Sequence, residues 1–288
     1  MIDPRIDDWL AGAADYSPET VKQYRKYVDV LEKWLERRGI QLPDLRPAQF
    51  REFLDDRPTW GPVTRHNCLY AIRAFLRATR QLSHPLMSMN LRRADPGPQR
   101  TLTMPDVHRL LQACETGRPR GVRNAAMVTL LLDTGLRASE LCRLTKTATD
   151  LDACKLAVLG KGRRWRYCVF SPATAERIRS WVEIRRLFAR QDVNNLFTSL
   201  GGPTPGGPLT RYGLSCIWRT LASEAGLPAL ASHDFRRGFA CEAMKNRMPL
   251  KPLQEQGGWS SLGTLSGYLR ALTIEDARAY LPAADLPL

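Results

Sequence analysis

The feature that most restricts how this chain folds is the stretch 84–100, His-Pro-Leu-Met-Ser-Met-Asn-Leu-Arg-Arg-Ala-Asp-Pro-Gly-Pro-Gln-Arg. It has no apolar periodicity, and Pro85, Pro96, Gly97 and Pro98 punctuate it. Proline lacks an N–H and pushes the residue before it toward extended backbone, so no helix or central strand runs through such a segment. The chain therefore reads as a small domain over 1–90, a linker over 91–100 and a larger domain over 101–288. Its 288 residues suit about two domains.

The small domain reads as helical. Ser17-Pro18-Glu19 combines a cap, a first-turn proline and an acid at the positive helix end. Val21, Tyr24, Val28, Leu31 and Leu35 then recur at steps of three and four, and Gly39 closes the element. A second helix is predicted over Pro47–Asp55 and a third over Val63–Gln81, with Leu69, Ile72, Phe75 and Leu76 as its apolar stripe. Arg65, Arg73, Arg77 and Arg80 fall on another face of that third helix, a solvated face or one that meets phosphate.

In the larger domain, helices are predicted from Thr103, over Gly121–Thr134, over Ala173–Phe188, over Thr210–Ala225 and over Ser232–Lys245. The second of these is apolar nearly all round, as a buried helix is. Lys155-Leu-Ala-Val-Leu and Trp165-Arg-Tyr-Cys-Val-Phe flank Gly160-Lys-Gly-Arg, which reads as a β-hairpin with a cationic loop. The fold class is mainly α with a small antiparallel β-sheet.

Composition narrows the function. Lysine and arginine number 43 against 29 acidic residues, a net charge of +14, and arginine dominates. Residues 1–95 hold 16 basic and 13 acidic residues, and the remainder 27 and 16, so the excess lies in the larger domain. With 43% hydrophobic residues the chain has the material for a core, so this is a folded protein that meets a polyanion, most often nucleic acid. No apolar run reaches the ~18 residues of a membrane span. Met1-Ile-Asp-Pro-Arg does not open like a signal peptide, which makes the cytoplasm the expected location. The seven cysteines are scattered without a CxxC pair, so neither a disulfide framework nor a metal site is expected.

Four places combine reactive or anion-binding side chains. Thr134-Gly-Leu-Arg137-Ala-Ser-Glu140 sets an arginine and a glutamate three apart at a helix start; alone this could be a surface ion pair. Lys161 sits between Gly160 and Gly162 with Arg163 and Arg164 following, a turn that admits a phosphate or merely solubilises. In Ser232-His233-Asp-Phe-Arg236-Arg237 the imidazole and guanidinium share a helical face, beside a Ser232 cap, and could hold a phosphate and handle a proton. Gly257-Gly-Trp259-Ser-Ser-Leu-Gly-Thr-Leu-Ser-Gly-Tyr268 carries a tyrosine with no obvious core role. A phenol with a pKa of about 10 attacks only with a base or a cationic site to help it.

Taken in order, Arg137, Lys161, His233-x-x-Arg236, Trp259 and Tyr268 resemble the active-site signature of the tyrosine recombinases, the family of phage integrases and Xer recombinases. Thr-Gly-Leu-Arg-x-Ser-Glu-Leu is close to that family's wording around its first arginine, and Trp259 precedes Tyr268 by the family's nine residues. Trp259 stands where histidine is commoner, Arg237 where histidine is frequent, and Gly257-Gly258 replaces Leu-Gly, which is expected to loosen that turn. Tyr280, in an amphipathic context, reads as packing.

The resemblance implies an N-terminal SAM-like core-binding domain and a catalytic domain. It implies a 3′-phosphotyrosine intermediate at Tyr268, a phosphate clamp of Arg137 and Arg236, proton transfer by His233 and Lys161, and Glu140 orienting the Arg137 region. Double-stranded DNA is the implied partner, bound by a tetramer on two sites, with or without a related recombinase, and no metal or other cofactor is required. The alternatives are a type IB topoisomerase-like relaxing activity and a DNA-binding regulator that has lost catalysis.

Overall fold

The computed structural model describes residues 8–9, 16–92, 100–160, 164–267 and 269. The chain divides into two compact units, Met1–Gly97 and Pro98–Leu288, and is mainly helical with one three-stranded antiparallel sheet.

The first unit is built on α1 (Pro18–Arg38), α2 (Pro47–Asp55) and α3 (Pro62–Ala78). The Ser17 hydroxyl accepts from the Thr20 amide at 3.2 Å to start α1, and Gly39 ends it in the left-handed region at φ 61°. Val28, Leu31 and Leu35 are buried, with Val21 and Tyr24 packed against the same cluster. Trp34 lies off that stripe yet is also buried, its indole N–H donating to the Asp56 carboxylate at 2.7 Å. Leu69, Ile72, Phe75 and Leu76 of α3 are all buried.

The arginines of α3 do not form one continuous cationic face. Arg65 donates to the Trp60 carbonyl and the Asp55 carboxylate, at 3.0 and 2.9 Å. Arg73 donates to the carbonyls of Leu86, at 2.8 Å, and Met89, which ties the chain after α3 back onto the helix. The helix ends at Ala78, short of the predicted Gln81, and Arg80 follows in the left-handed region at φ 57°. Arg77 and Arg80 are exposed.

The second unit comprises α4 (Met104–Cys114), α5 (Pro119–Thr134), α6 (Ala138–Arg143), β1 (Thr149–Asp150), β2 (Lys155–Leu159), β3 (Trp165–Val169), α7 (Pro172–Arg185), α8 (Arg211–Glu224), α9 (Ser232–Lys245), α10 (Leu250–Gly257) and α11 (Leu262–Ser266). Helix α5 is its axis, packed by α4, α7 and α9, with Ala126, Met127, Val128, Leu130 and Leu131 fully buried. The predicted hairpin is present, with Leu156 opposite Cys168 and Ala157 opposite Tyr167, and the two-residue β1 adds an unpredicted third strand. Alternation along β3 turns Cys168 inward and leaves Trp165, Tyr167 and Val169 exposed.

Side chains lock α10 against the sheet and α5. Gln256 accepts from the Val169 amide at 3.1 Å and donates to the Val169 and Asp133 carbonyls. The Asp133 carboxylate receives the Ser171 amide, the Ser171 hydroxyl and the Thr174 hydroxyl at 2.8, 2.8 and 2.7 Å, which fixes the start of α7. Among the described residues no helix is long and apolar enough to cross a membrane. No group of three or more histidine, cysteine or acidic residues among them could hold a metal ion.

Two glycines separate backbone strain from crowding. Gly39 and Gly135 both have positive φ, 61° and 58°, but a Cβ at Gly39 would meet nothing within 4 Å, whereas one at Gly135 would stand 2.3 Å from the Phe239 ring. Gly39→Ala is expected to cost about 1 kcal/mol of stability and Gly135→Ala about 3 kcal/mol or more. Chemical denaturation of the two variants measures the difference; equal losses would mean that the Phe239 contact carries no weight.

Candidate active site

The first corner of the site forms where α5 hands over to α6. Gly135 reverses the chain in the left-handed region, Leu136 buries, and Arg137 becomes the cap residue of α6. The Arg137 amide donates to Glu140 Oε2 at 2.8 Å and its guanidinium to Oε1 at 3.0 Å. The opposite side of the carboxylate receives both η nitrogens of Arg166 at 3.0 Å each. With its side chain 2% exposed, Glu140 is no surface ion pair. Burial pushes the carboxyl up, but the hydrogen bonds from Arg166 and the Arg137 amide outweigh it and hold the group below the ordinary carboxylate value. Arg137 also donates to the Gly258 carbonyl at 3.1 Å, and 35% of its side chain stays exposed.

The second corner is the start of α9. Ser232 does not cap the helix as predicted, because its hydroxyl accepts the Trp218 indole N–H at 3.0 Å. Asp234 does the capping, accepting from the Ala231 amide at 2.8 Å and pairing with Arg237 at 2.8 Å. Arg237 also reaches the Arg100 carbonyl, so its place in the sequence has a structural use. Arg236 is 1% exposed; it donates to the Gly135 carbonyl, and its guanidinium carbon lies 4.2 Å from the Trp259 ring centroid. His233 shows an edge to solvent. Withdrawal of water on its protein side, then the charges of Arg237, Arg236 and Arg137, push the imidazole below its ordinary pKa.

The third corner is Gly257-Gly258-Trp259. The paired glycines do not loosen this turn, contrary to expectation; both are demanded by it. A Cβ at Gly257 would stand 1.9 Å from the Trp259 ring. Gly258 has φ 65°, and a Cβ there would stand 2.7 Å from the Arg166 guanidinium carbon. Trp259 is 4% exposed and its ring lies parallel to Phe239 with centroids 6.1 Å apart.

The structure thus pairs Arg137 with Glu140 and Arg236 with Trp259, links the two pairs through the Gly135 and Gly258 carbonyls, and sets His233 in the field of the same cations. Lys161, Arg163, Tyr268 and Tyr280 lie outside the described residues. Arg164 is exposed where the hairpin loop closes, its carbonyl accepting the Gly160 amide at 2.9 Å. Sequence reading missed Arg166, which it left without a role in the second strand of the hairpin. Strand alternation alone would bury the face of Trp165, Tyr167 and Val169 and turn Arg166 outward; the structure shows the reverse, with Arg166 inside beside the buried Glu140 carboxylate.

Residues 100–274 match the model of the phage integrase family, and residues 6–82 match its N-terminal SAM-like domain. The tyrosine recombinase XerC of Chromohalobacter salexigens is 31% identical over 272 residues, covering 91% of this chain and 88% of that protein. The tyrosine recombinase XerD of Bradyrhizobium diazoefficiens is 28% identical, covering 91% and 89%. Among solved structures, the Tn1549 transposon integrase in complex with transposon right end DNA superposes with a TM-score of 0.78 at 18% identity, covering 95% of this chain and 96% of that one. XerH bound to a palindromic difH substrate gives 0.74 at 18% identity, covering 96% and 83%. With its larger unit matched to the family model and relatives aligned over nine-tenths of its length, the chain belongs to the phage integrase family of tyrosine recombinases.

Proposed function

We propose that this chain is a site-specific recombinase that cleaves and rejoins duplex DNA through a 3′-phosphotyrosine at Tyr268. The observation that carries the reading is the set of contacts joining Arg137, Glu140, Arg236 and Trp259 from three separate stretches of sequence, with His233 in the same field. Its relatives named tyrosine recombinases support it over most of the chain. Neither alternative draws comparable support: no feature favours relaxation without strand exchange, and the anchored site argues against an idle regulator.

In the proposed reaction the Tyr268 oxygen attacks phosphorus, a P–O bond to tyrosine forms, and the P–O5′ bond breaks. The leaving 5′-oxygen takes a proton and departs as a hydroxyl. A 5′-hydroxyl from another strand later attacks the phosphotyrosine and releases Tyr268, so bond energy is conserved in the covalent linkage. Charge on the non-bridging oxygens rises on the way, and fixed cations stabilise it. Arg137 has the exposed surface to take two phosphate oxygens, while the buried Arg236 adds its charge at short range in a weakly screened setting. Trp259 offers a ring face and one N–H, no titratable group. Proton handling then falls to His233 and Lys161. Of the described arginines expected to meet the DNA backbone, Arg77, Arg80 and Arg164 are exposed, while Arg65 and Arg73 are half-buried and engaged within the protein. A tetramer on two DNA sites, with or without a related recombinase, is the proposed working assembly, formed in the cytoplasm.

Three outcomes check this reading. Incubation with a nicked suicide duplex, carrying a site selected from random DNA by the chain itself, should trap a covalent adduct. Tyr268→Phe should abolish the adduct and keep binding; an adduct in the Phe variant sinks the nucleophile assignment. By NMR titration, His233 should lose its proton at a pH below the ordinary histidine value of about 6.5. Arg237→Gln should shift that titration only part of the way back, since removal of water from the ring is the larger cause. Because the depressed imidazole binds fewer protons in the folded state, its contribution to stability is lost as the pH falls below the ordinary value. Finally, truncation after Leu269 should weaken assembly on paired sites in a gel-shift experiment while single-site binding persists; unchanged assembly rules out a linking role for the C-terminal segment.

A further inference from the structure

We propose that Arg166 is a positioning residue for cleavage, holding both protein anchors of Arg137 and thereby fixing the guanidinium that meets the scissile phosphate. The inference rests on the recombinase reading above and assigns a role to a residue outside the signature that suggested it.

Arg137 has two anchors beyond its own backbone, the Glu140 carboxylate and the Gly258 carbonyl. Arg166 touches the partner at each. Its two η nitrogens fork onto Glu140, one to each oxygen, at 3.0 Å. Each carboxylate oxygen then accepts once from Arg137, through the guanidinium or the amide, and once from Arg166. Rotation of the carboxylate would break all four bonds together. At the other anchor, the Arg166 side chain packs on the left-handed turn at Gly258 so closely that a Cβ would stand 2.7 Å from both Cζ and Nε.

The burial fits a positioning role. Arg166 is 15% exposed and Glu140 2%, so the fork is drier than the outer edge of Arg137, at 35%. Both η nitrogens of Arg166 are engaged by Glu140 and point away from any phosphate role. Lysine could supply the charge but not the fork, since an ammonium is a single point of donation. Loss of the fork would leave Glu140 buried beside one arginine, free to pull that guanidinium toward itself.

The test is single-turnover cleavage of the nicked suicide duplex in two forms, one with the ordinary phosphodiester and one with a neutral methylphosphonate at the scissile position. A methylphosphonate lacks one charged oxygen and so depends less on a cationic clamp. Arg166→Gln should cleave the phosphodiester roughly 10–100-fold more slowly than the unaltered chain, in the range seen when groups supporting a reactive centre are removed. On the methylphosphonate that gap should shrink to about 3-fold or less, as the clamp matters less there. Arg166→Lys should resemble Arg166→Gln. Because one preparation is assayed on both substrates, any misfolded fraction cancels. An equal loss on both substrates, or wild-type cleavage by Arg166→Lys, would overturn the proposal. Absence of any adduct with the unaltered chain would instead remove the recombinase reading, and this one with it; an adduct formed equally by Arg166→Gln removes this one alone.

Discussion

A carboxylate withdrawn from water must be met by fixed donors, and in the larger unit that requirement organises everything near the site. Glu140 draws in an amide from its own helix start, a guanidinium from the same turn and another from β3. Those partners fix where α6 begins, how β3 approaches it and how the turn after α10 lies against both. The apolar core sets the helices roughly in place, but hydrophobic burial has no direction. The angular precision at Arg137 comes from this ion cluster, whose four bonds have defined donors and acceptors.

The helices of the chain were legible because their signals are local. Pro47–Asp55 and Ser232–Lys245 agree with prediction at both ends, and the α3 stripe is buried as its spacing implies. What escaped prediction depends on partners distant in sequence. Trp34 is buried off its stripe because Asp56, from beyond α2, satisfies its N–H. Ser232 reads as a cap in isolation, yet Trp218 claims its hydroxyl and Asp234 takes over. Strand β1 has two residues, too few for any alternation to register. At the site, the matching of Arg137, His233, Arg236 and Trp259 to a known signature needed order and spacing alone. The role of Arg166 needed knowledge that Glu140, 26 residues earlier, faces the same interior.

The positive charge of the chain has more than one use. Several arginines are internal braces that donate to backbone carbonyls, Arg185 to Val193 and Asn195 and Arg73 to Leu86, while Arg123 donates to the Thr198 carbonyl and the Asn124 side chain. Burial lowers the Arg123 pKa to about 10, still far above neutrality, so even this brace carries its charge. The field that a DNA backbone would meet is therefore a property of the whole chain, while the contacts themselves belong to fewer residues than the count of cations suggests.

Strand β3 lies at the rim of its sheet and shows Trp165, Tyr167 and Val169 to solvent, a combination that invites another chain to add a strand. Gln256 answers part of that hazard. Its side-chain amide accepts from the N–H of Val169 and donates to the C=O of the same residue, as a neighbouring backbone would. The helix that carries the Trp259 turn thus also covers the Val169 end of this edge. One glutamine serves as a counterfeit peptide bond, so that beside the candidate active site the Val169 end of the hairpin offers no free backbone pair to another strand.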